Sequence, residues 1–219
     1  MPVSESLVYT ENNYYSSKPL KFGYNYHLSN IKTPYKVIHN GLNILNWDRD
    51  NEIIRDKTSF VTVLGEGKVN IKGVDLIIDV ASRFPNSIFY LAGIENVKGY
   101  DMPKNIICKG RLNPEELKSL FNQSQFYLQL SNTEGFGVAL CEAMLCECIP
   151  IVSDVNFLPT IVGDSGFVLK KRNSEMLFDL INLALNSNTI IFEGRARKRI
   201  KDDFSVNKRK KMLLSVLTN

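Results

Sequence analysis

The sequence predicts an α/β domain built in three layers around a mostly parallel sheet. Short β-branched, apolar runs alternate with segments whose apolar residues recur at helical spacing. Two of those runs give way to a helix through a glycine loop, at Gly65-Glu66-Gly67 and at Gly135-Phe136-Gly137. The 219 residues, 44% of them hydrophobic, suffice for a core without disulfide or metal staples.

In chain order, residues 1–35 read as an irregular lead-in or interaction arm. Apolar periodicity is weak there, and tyrosines 9, 14, 15, 24 and 26 stand out. Tyr35–Gly41 predicts a short strand ending in an Asn-Gly turn. Residues 36–219 then form the α/β domain. Ser59–Leu64 is a β-branched strand. After its glycine loop and Lys72-Gly73, Val74, Ile77, Ile78, Ala81 and Phe84 share one helix face. Ser87–Gly93 and Asn105–Cys108 are further strands. Asn113-Pro114-Glu115-Glu116 starts a helix with an N-cap, a proline at its first position and early acids. Phe126–Leu130 is a strand and Val138–Cys148 a buried helix. Ile149–Val152 and Gly166–Leu169 are strands, Ser174 caps the next helix, and 195–204 and 206–217 are helical and basic.

The stretch Ser131–Met144 carries the chemistry. A strand, a glycine loop and a helix start offer free backbone N–H groups to an anion. Gly135 and Gly137 remove side chains that would hold a ligand off that backbone. Ser131-x-x-Glu134 also fits a capping box, but that would put both glycines in the first turns at about 1 kcal/mol each. A helix starting near Val138 is therefore preferred. Glu142 sits on an apolar helix, where a carboxylate needs a partner. Ribose hydroxyls would serve, and so would solvent or a structural Arg or Lys. Lys72 is a cation at a helix start, opposed by the macrodipole. Diphosphate binding and free exposure both account for it.

Glu134-Gly-Phe-Gly, Glu142-Ala-Met after seven intervening residues, Ile149-Pro150-Ile151-Val152-Ser153-Asp154 and Pro159-x-Ile161-Val162 together resemble the retaining GT-B glycosyltransferases of family 4. The resemblance spans about residues 36–217 and implies a Rossmann-like domain, the C-terminal, donor-binding half of a GT-B fold. It assigns Glu134 and Lys72 to catalysis. Glu134, Gly135, Phe136 and Gly137 would meet the donor sugar and its phosphates, and Glu142 the ribose. Backbone at Arg111 and Leu112 would read the nucleobase, and the loop containing Gly65 would cradle phosphate. Three positions depart from the family pattern. Asn43 replaces an Asp, Glu66 stands where an Arg is usual, and Glu147 replaces a Gly. Lys68 or Arg111 would then supply the second cation.

Composition narrows the partners. A net charge of +4 does not argue for nucleic acid. No run approaches the ~20 apolar residues of a membrane span, and the N-terminus lacks a signal-peptide core. Cys108, Cys141, Cys146 and Cys148 read as buried apolar residues of a reducing cytoplasm, the last three within one helix. His27 and His39 have no ligand spacing, which argues against zinc. The basic run Lys208–Lys211 is a solvated helix face or a contact with anionic lipid. The expected ligand is a nucleotide-diphospho-sugar substrate, with no separate cofactor and no metal, and the acceptor an unspecified hydroxyl. The N-terminal GT-B half is not in the sequence, so a protein partner supplying it is expected. The alternatives are a non-catalytic nucleotide-sugar-binding module and a scaffold that kept only the fold.

Overall fold

Six parallel strands form the centre of the computed structural model, which describes residues 1–28 and 34–218. They are β3 (Asp56–Val63), β4 (Ile88–Ala92), β5 (Ile106–Cys108), β6 (Ser124–Gln129), β7 (Ile149–Ser153) and β8 (Phe167–Leu169), in the spatial order β5-β4-β3-β6-β7-β8. β6 and β7 are buried at every position, as expected for central strands covered on both faces. Phe60 pairs in register with Phe89 on one side and Phe126 on the other, and the three rings stack at 4.7 and 4.9 Å. This ladder fixes the alignment of three strands, because slipping one by a residue would turn its ring to the opposite face.

Helices cover both faces. α3 (Val74–Ala81) packs with α7 (Ser174–Leu185). On the other side α4 (Pro114–Gln123) lies on β3 and β6, and α5 (Val138–Leu145) packs with α8 (Thr189–Asp203), which also touches β7 and α6 (Leu158–Val162). The N-cap expected at Asn113 is present, and it is half of a capping box: its side chain accepts from the Glu116 N–H, and Glu116 accepts from the Asn113 N–H. α9 (Val206–Leu217) has no buried residue.

Residues 1–28 hold a short helix α1 (Glu5–Val8), a hairpin of β1 (Thr10–Asn12) and β2 (Leu20–Phe22), and a short helix α2 (Tyr24–His27). Tyr14, on the hairpin connection, is buried in the main core and accepts the Arg172 N–H on its carbonyl. Positions 29–33 of the lead-in, and residue 219 at the end of the α/β domain, lie outside the described residues.

Three local expectations are corrected. Residues 35–41 are not a strand. The Ile38 N–H goes to Pro2 O, and Leu42 makes an isolated bridge to Ser205 at the α8–α9 junction, so among the described residues no neighbouring strand extends a ladder there. Asn173, not Ser174, caps α7, its side chain accepting from the Met176 N–H.

The third correction is at α5, which ends at Leu145, so only Cys141 of the three cysteines lies inside it. Glu147 adopts φ +66°, and the N–H groups of Glu147 and Cys148 return to the carbonyls of Met144 and Ala143. That is a Schellman closure with glutamate in the left-handed position that glycine normally fills. The Arg55 guanidinium then binds the freed carbonyls of Cys146 and Glu147 at 2.6 and 2.8 Å.

Candidate active site

The chain reverses its direction of travel across the sheet between β3 and β6. From β3 it moves outward through β4 to β5, returns beside β3 as β6, and then moves the other way to β7 and β8. The loops leaving β3 and β6 therefore diverge, and a crevice opens beyond the carboxyl ends of these two strands, where open α/β sheets bind their ligands.

Lys72 ends the loop after β3 and Glu134 lies in the loop after β6. Gly73, at φ +69°, allows the two loops to touch: a Cβ there would stand 2.2 Å from the Leu130 carbonyl oxygen. The Asn132 N–H donates to Ile71 O, and the Asn132 side-chain amide donates to Asn70 O. Between these contacts Lys72 Nζ reaches Glu134 Oε2 at 2.6 Å, each side chain keeping about a fifth of its exposure. Gln129 Nε2 donates to the same carboxylate oxygen at 2.9 Å, and Gln129 Oε1 accepts from the Tyr127 hydroxyl. Asn156 Oδ1 accepts the Glu134 backbone N–H.

A cleft of about 400 Å³ opens beside this pair, lined by Lys72, Gln129, Glu134, residues 135–139, Asn40 and Val3. α5 starts at Val138. Its N-cap, Gly137 (φ +103°), makes no side-chain cap bond, so no side chain competes for the N–H groups of the first turn. A Cβ on Gly135 would meet nothing nearer than Leu7 Cδ2 at 4.0 Å, so the backbone there is open. Phe136 is buried, packed with Phe157, Phe204 and His39 beneath the loop.

Glu142 lies one turn into α5. Among the described residues its carboxylate has no hydrogen-bond or ion-pair partner, and burial alone pushes its pKa up to about 7. Both Glu134 and Glu142 lie close enough to the buried Tyr127 hydroxyl to add to the rise that burial causes in its pKa. Both carboxylates thus bear on Tyr127 of β6, although Glu142 does not line the cleft itself. Burial likewise raises the thiols of Cys141, Cys146 and Cys148, the last to about 12, so none of them is held as a thiolate.

The other expected positions are not among the residues that line the cleft. Gly65, Lys68 and Arg111 are exposed, and Leu112 is half-buried. A second cavity of about 510 Å³ lies at the ends of β3 and β4, lined by Glu66, Gly67, Val69, Ile94, Glu95, Asn96 and Lys98. No cation occupies the place of Glu66, and Lys68 and Arg111 have no ion-pair partner among the described residues. Sequence reasoning missed Gln129, Asn156 and Val3. Gln129 carried a usable signal, a glutamine in an otherwise apolar central strand, which must be hydrogen-bonded there. Asn156, at φ +50°, and Val3 carried none.

The sequence pattern described as "Glycosyl transferases group 1" matches residues 47–203. The GDP-mannose:cellobiosyl-diphosphopolyprenol alpha-mannosyltransferase of Xanthomonas oryzae pv. oryzae (strain PXO99A) is 30% identical over 144 residues, 60% of this chain and 37% of that protein. The alpha-galactosylglucosyldiacylglycerol synthase of Streptococcus pneumoniae (strain ATCC BAA-255 / R6) is 29% identical over 113 residues, 46% of this chain and 30% of that protein. The chain thus spans well under half the length of these relatives. Sucrose-phosphate synthase from Thermosynechococcus elongatus superposes with a TM-score of 0.74 at 16% identity, over 89% of this chain and 55% of that one. Anabaena Alr3699/HepE, solved in complex with UDP-glucose, gives 0.72 at 18% identity, over 84% and 57%. These structural likenesses establish the shared fold.

Proposed function

The chain belongs to the glycosyl transferases group 1 family, and from that membership we propose that it is the donor-binding domain of a retaining glycosyltransferase, acting on a nucleotide-diphospho-sugar. The observation that carries this reading is the Lys72–Glu134 contact at the point where the sheet reverses, beside an open helix N-terminus.

The reaction would break the bond between the sugar's anomeric carbon and the diphosphate oxygen and form one to the oxygen of an acceptor hydroxyl, whose proton passes to the departing diphosphate. Negative charge grows on the leaving diphosphate. Lys72 and the first-turn N–H groups of α5 face the region where it would develop, and preorganised donors of this kind stabilise a transition state without reorganisation. In this reading an arriving phosphate takes Lys72 from Glu134, which is then released to orient the sugar. Gln129 and the Asn156 cap keep the Glu134 carboxylate and backbone in place meanwhile. Glu142 accepts the ribose hydroxyls, which would partner its otherwise unpaired carboxylate. The positive potential comes from the chain's own groups, so no metal is assigned a step.

One wall of the cleft is open, and sugar transfer needs water excluded. A second polypeptide supplying the N-terminal GT-B half would close it. Exposed Leu7 and Tyr35 line a largely apolar cavity of about 810 Å³ with Met1, Pro2, Tyr24 and Val216, a surface suited to such a partner. No helix among the described residues is long and apolar enough to cross a membrane. The basic, unburied α9 favours a cytoplasmic protein with peripheral contact to anionic lipid.

Titration calorimetry with GDP-mannose and UDP-glucose, followed by transfer assays with and without a co-purified partner, tests the proposal. Binding of either donor, with turnover once the partner is present, is the expected result; binding of neither would refute it. The second reading is a module that holds a nucleotide sugar without transferring it. Glu66, where a cation is usual, favours it, and binding without turnover in the completed complex would select it.

A further inference from the structure

Ser4 stands at the N-cap of α1, where a serine ordinarily accepts a hydrogen bond from its own helix. It makes no such bond. Its fully buried hydroxyl instead donates to the carbonyl oxygen of Gly135 at 2.7 Å, across 131 positions of sequence. Ser6 Oγ lies 2.9 Å from Ser4 Oγ. A carbonyl can only accept, so the single Ser4 proton is committed to Gly135, and Ser6 must donate to Ser4. The result is a directed chain from Ser6 through Ser4 to the glycine loop.

We infer that Ser4 is a positioning residue for the donor site: its hydroxyl fixes the peptide between Gly135 and Phe136, so that the Gly-Phe-Gly loop keeps the form that receives an anion. This rests on the donor-binding reading above. The peptide unit is planar, with its C=O and N–H pointing in opposite directions. Holding the Gly135 carbonyl therefore sets the direction of the Phe136 N–H. The loop does not set it unaided, because one of the two torsions that turn this peptide, ψ of Gly135, belongs to a glycine and is permissive. Its other anchors act elsewhere. Asn156 holds the Glu134 N–H, and the Phe136 ring is packed against Phe157. Neither bonds the Gly135 carbonyl. Without Ser4 that peptide can turn and present a carbonyl where a phosphate requires N–H groups. The segment 1–9 is thus part of the donor site rather than a tether beside it, and Val3 lines the same cleft.

The test uses the full chain with Ser4→Ala, Ser4→Thr and Ser6→Ala. Two readouts are taken: calorimetric affinity for GDP and UDP, and hydrogen exchange of the Phe136 amide without ligand. Ser4→Ala should weaken nucleotide binding roughly 5–20-fold, in line with one lost positioning hydrogen bond, and change Phe136 exchange severalfold. Ser4→Thr keeps the hydroxyl and should restore most of both, and Ser6→Ala should stay within about twofold of wild type. Affinity losses that merely follow melting temperature across all three variants would overturn the inference. So would an unchanged Phe136 amide in Ser4→Ala, whether or not nucleotide binds. A wild-type chain that binds neither nucleotide, while its Phe136 amide responds to Ser4→Ala, would instead overturn the donor-binding reading and leave the peptide assignment standing.

Discussion

Lys72 Nζ and Glu134 Oε2, 62 positions apart in the chain, meet at 2.6 Å where the neighbouring strands β3 and β6 send their following loops in opposite directions. The pair joins the end of β3 to the end of β6, and each partner carries a charge that a phosphorylated sugar can take over. Replacing Lys72 by Ala should weaken nucleoside diphosphate binding about 10–100-fold, the range of one charge-assisted hydrogen bond. It should cost about 1–2 kcal/mol of stability, less than the ~3–5 of a fully buried broken pair, because both side chains keep contact with water. Calorimetry and denaturant unfolding read the two effects separately. Wild-type affinity in this variant would remove Lys72 from the site.

Glu142 makes a pH-dependent prediction. Its folded pKa, about 7, lies above the ordinary glutamate value because burial disfavours the charged form. Between the unfolded value and about 7 the native state therefore holds more protons than the unfolded chain. Stability falls as pH rises through that window and levels off above it. Glu142→Gln should flatten the fall, which melting curves from pH 4.5 to 8 will show.

Nucleotide binding should run the other way at Glu142. The ionised carboxylate is the better acceptor for ribose hydroxyls, so affinity should rise towards pH 7 with release of a proton. Calorimetry in buffers of differing ionisation enthalpy detects that proton. Glu142→Ala should weaken binding without unfolding the domain; equal affinity would exclude the ribose role.

Glu147 should be replaceable with a gain in stability. Its left-handed backbone costs a residue with a side chain about 1–2 kcal/mol, and glycine would relieve this at an entropic cost of about 0.5–1. Glu147→Gly should therefore stabilise by roughly 0.5–1 kcal/mol, a rise of a few degrees in melting temperature. A loss of stability would mean that the Glu147 side chain contributes more than its backbone costs.

Arg172 braces the site from behind. Its guanidinium binds Asp75 Oδ2 at 2.5 Å and Asn132 Oδ1 at 2.9 Å, tying the start of α3 to the loop that carries Glu134. Among the described residues Asp75 Oδ1 is buried without a partner, so the pair depends on Arg172 for its compensation. Arg172→Ala should destabilise by about 2–3 kcal/mol. Adding Asp75→Asn should recover part of that loss, a coupling that a double-mutant cycle measures. Strict additivity would show that the two residues act independently.

Much of the fold was legible because its signals are local. Short apolar, β-branched runs and helical spacing located all six strands of the sheet and the helices beside the glycine loops, and Asn113 announced its own N-cap. Residues 35–41 misled because a β-branched run forms a strand only where a partner strand is present, and here the neighbours are Pro2 and the α8–α9 junction. Ser174 misled because Asn173, one position earlier, is an equally good cap.

By itself the sequence determined which residue types had to be satisfied: a carboxylate on the apolar α5 and a cation at a helix start. Each is a local mismatch between a side chain and the element that carries it, and such mismatches can be read from a linear string. Only the tertiary structure decided how they are satisfied. It paired Lys72 with Glu134, left Glu142 without a partner among the described residues and raised in pKa, and brought Ser4 to the Gly135 carbonyl. Those outcomes depend on strand order and on loops that meet across 62 and 131 positions, distances over which neither propensity nor periodicity carries information.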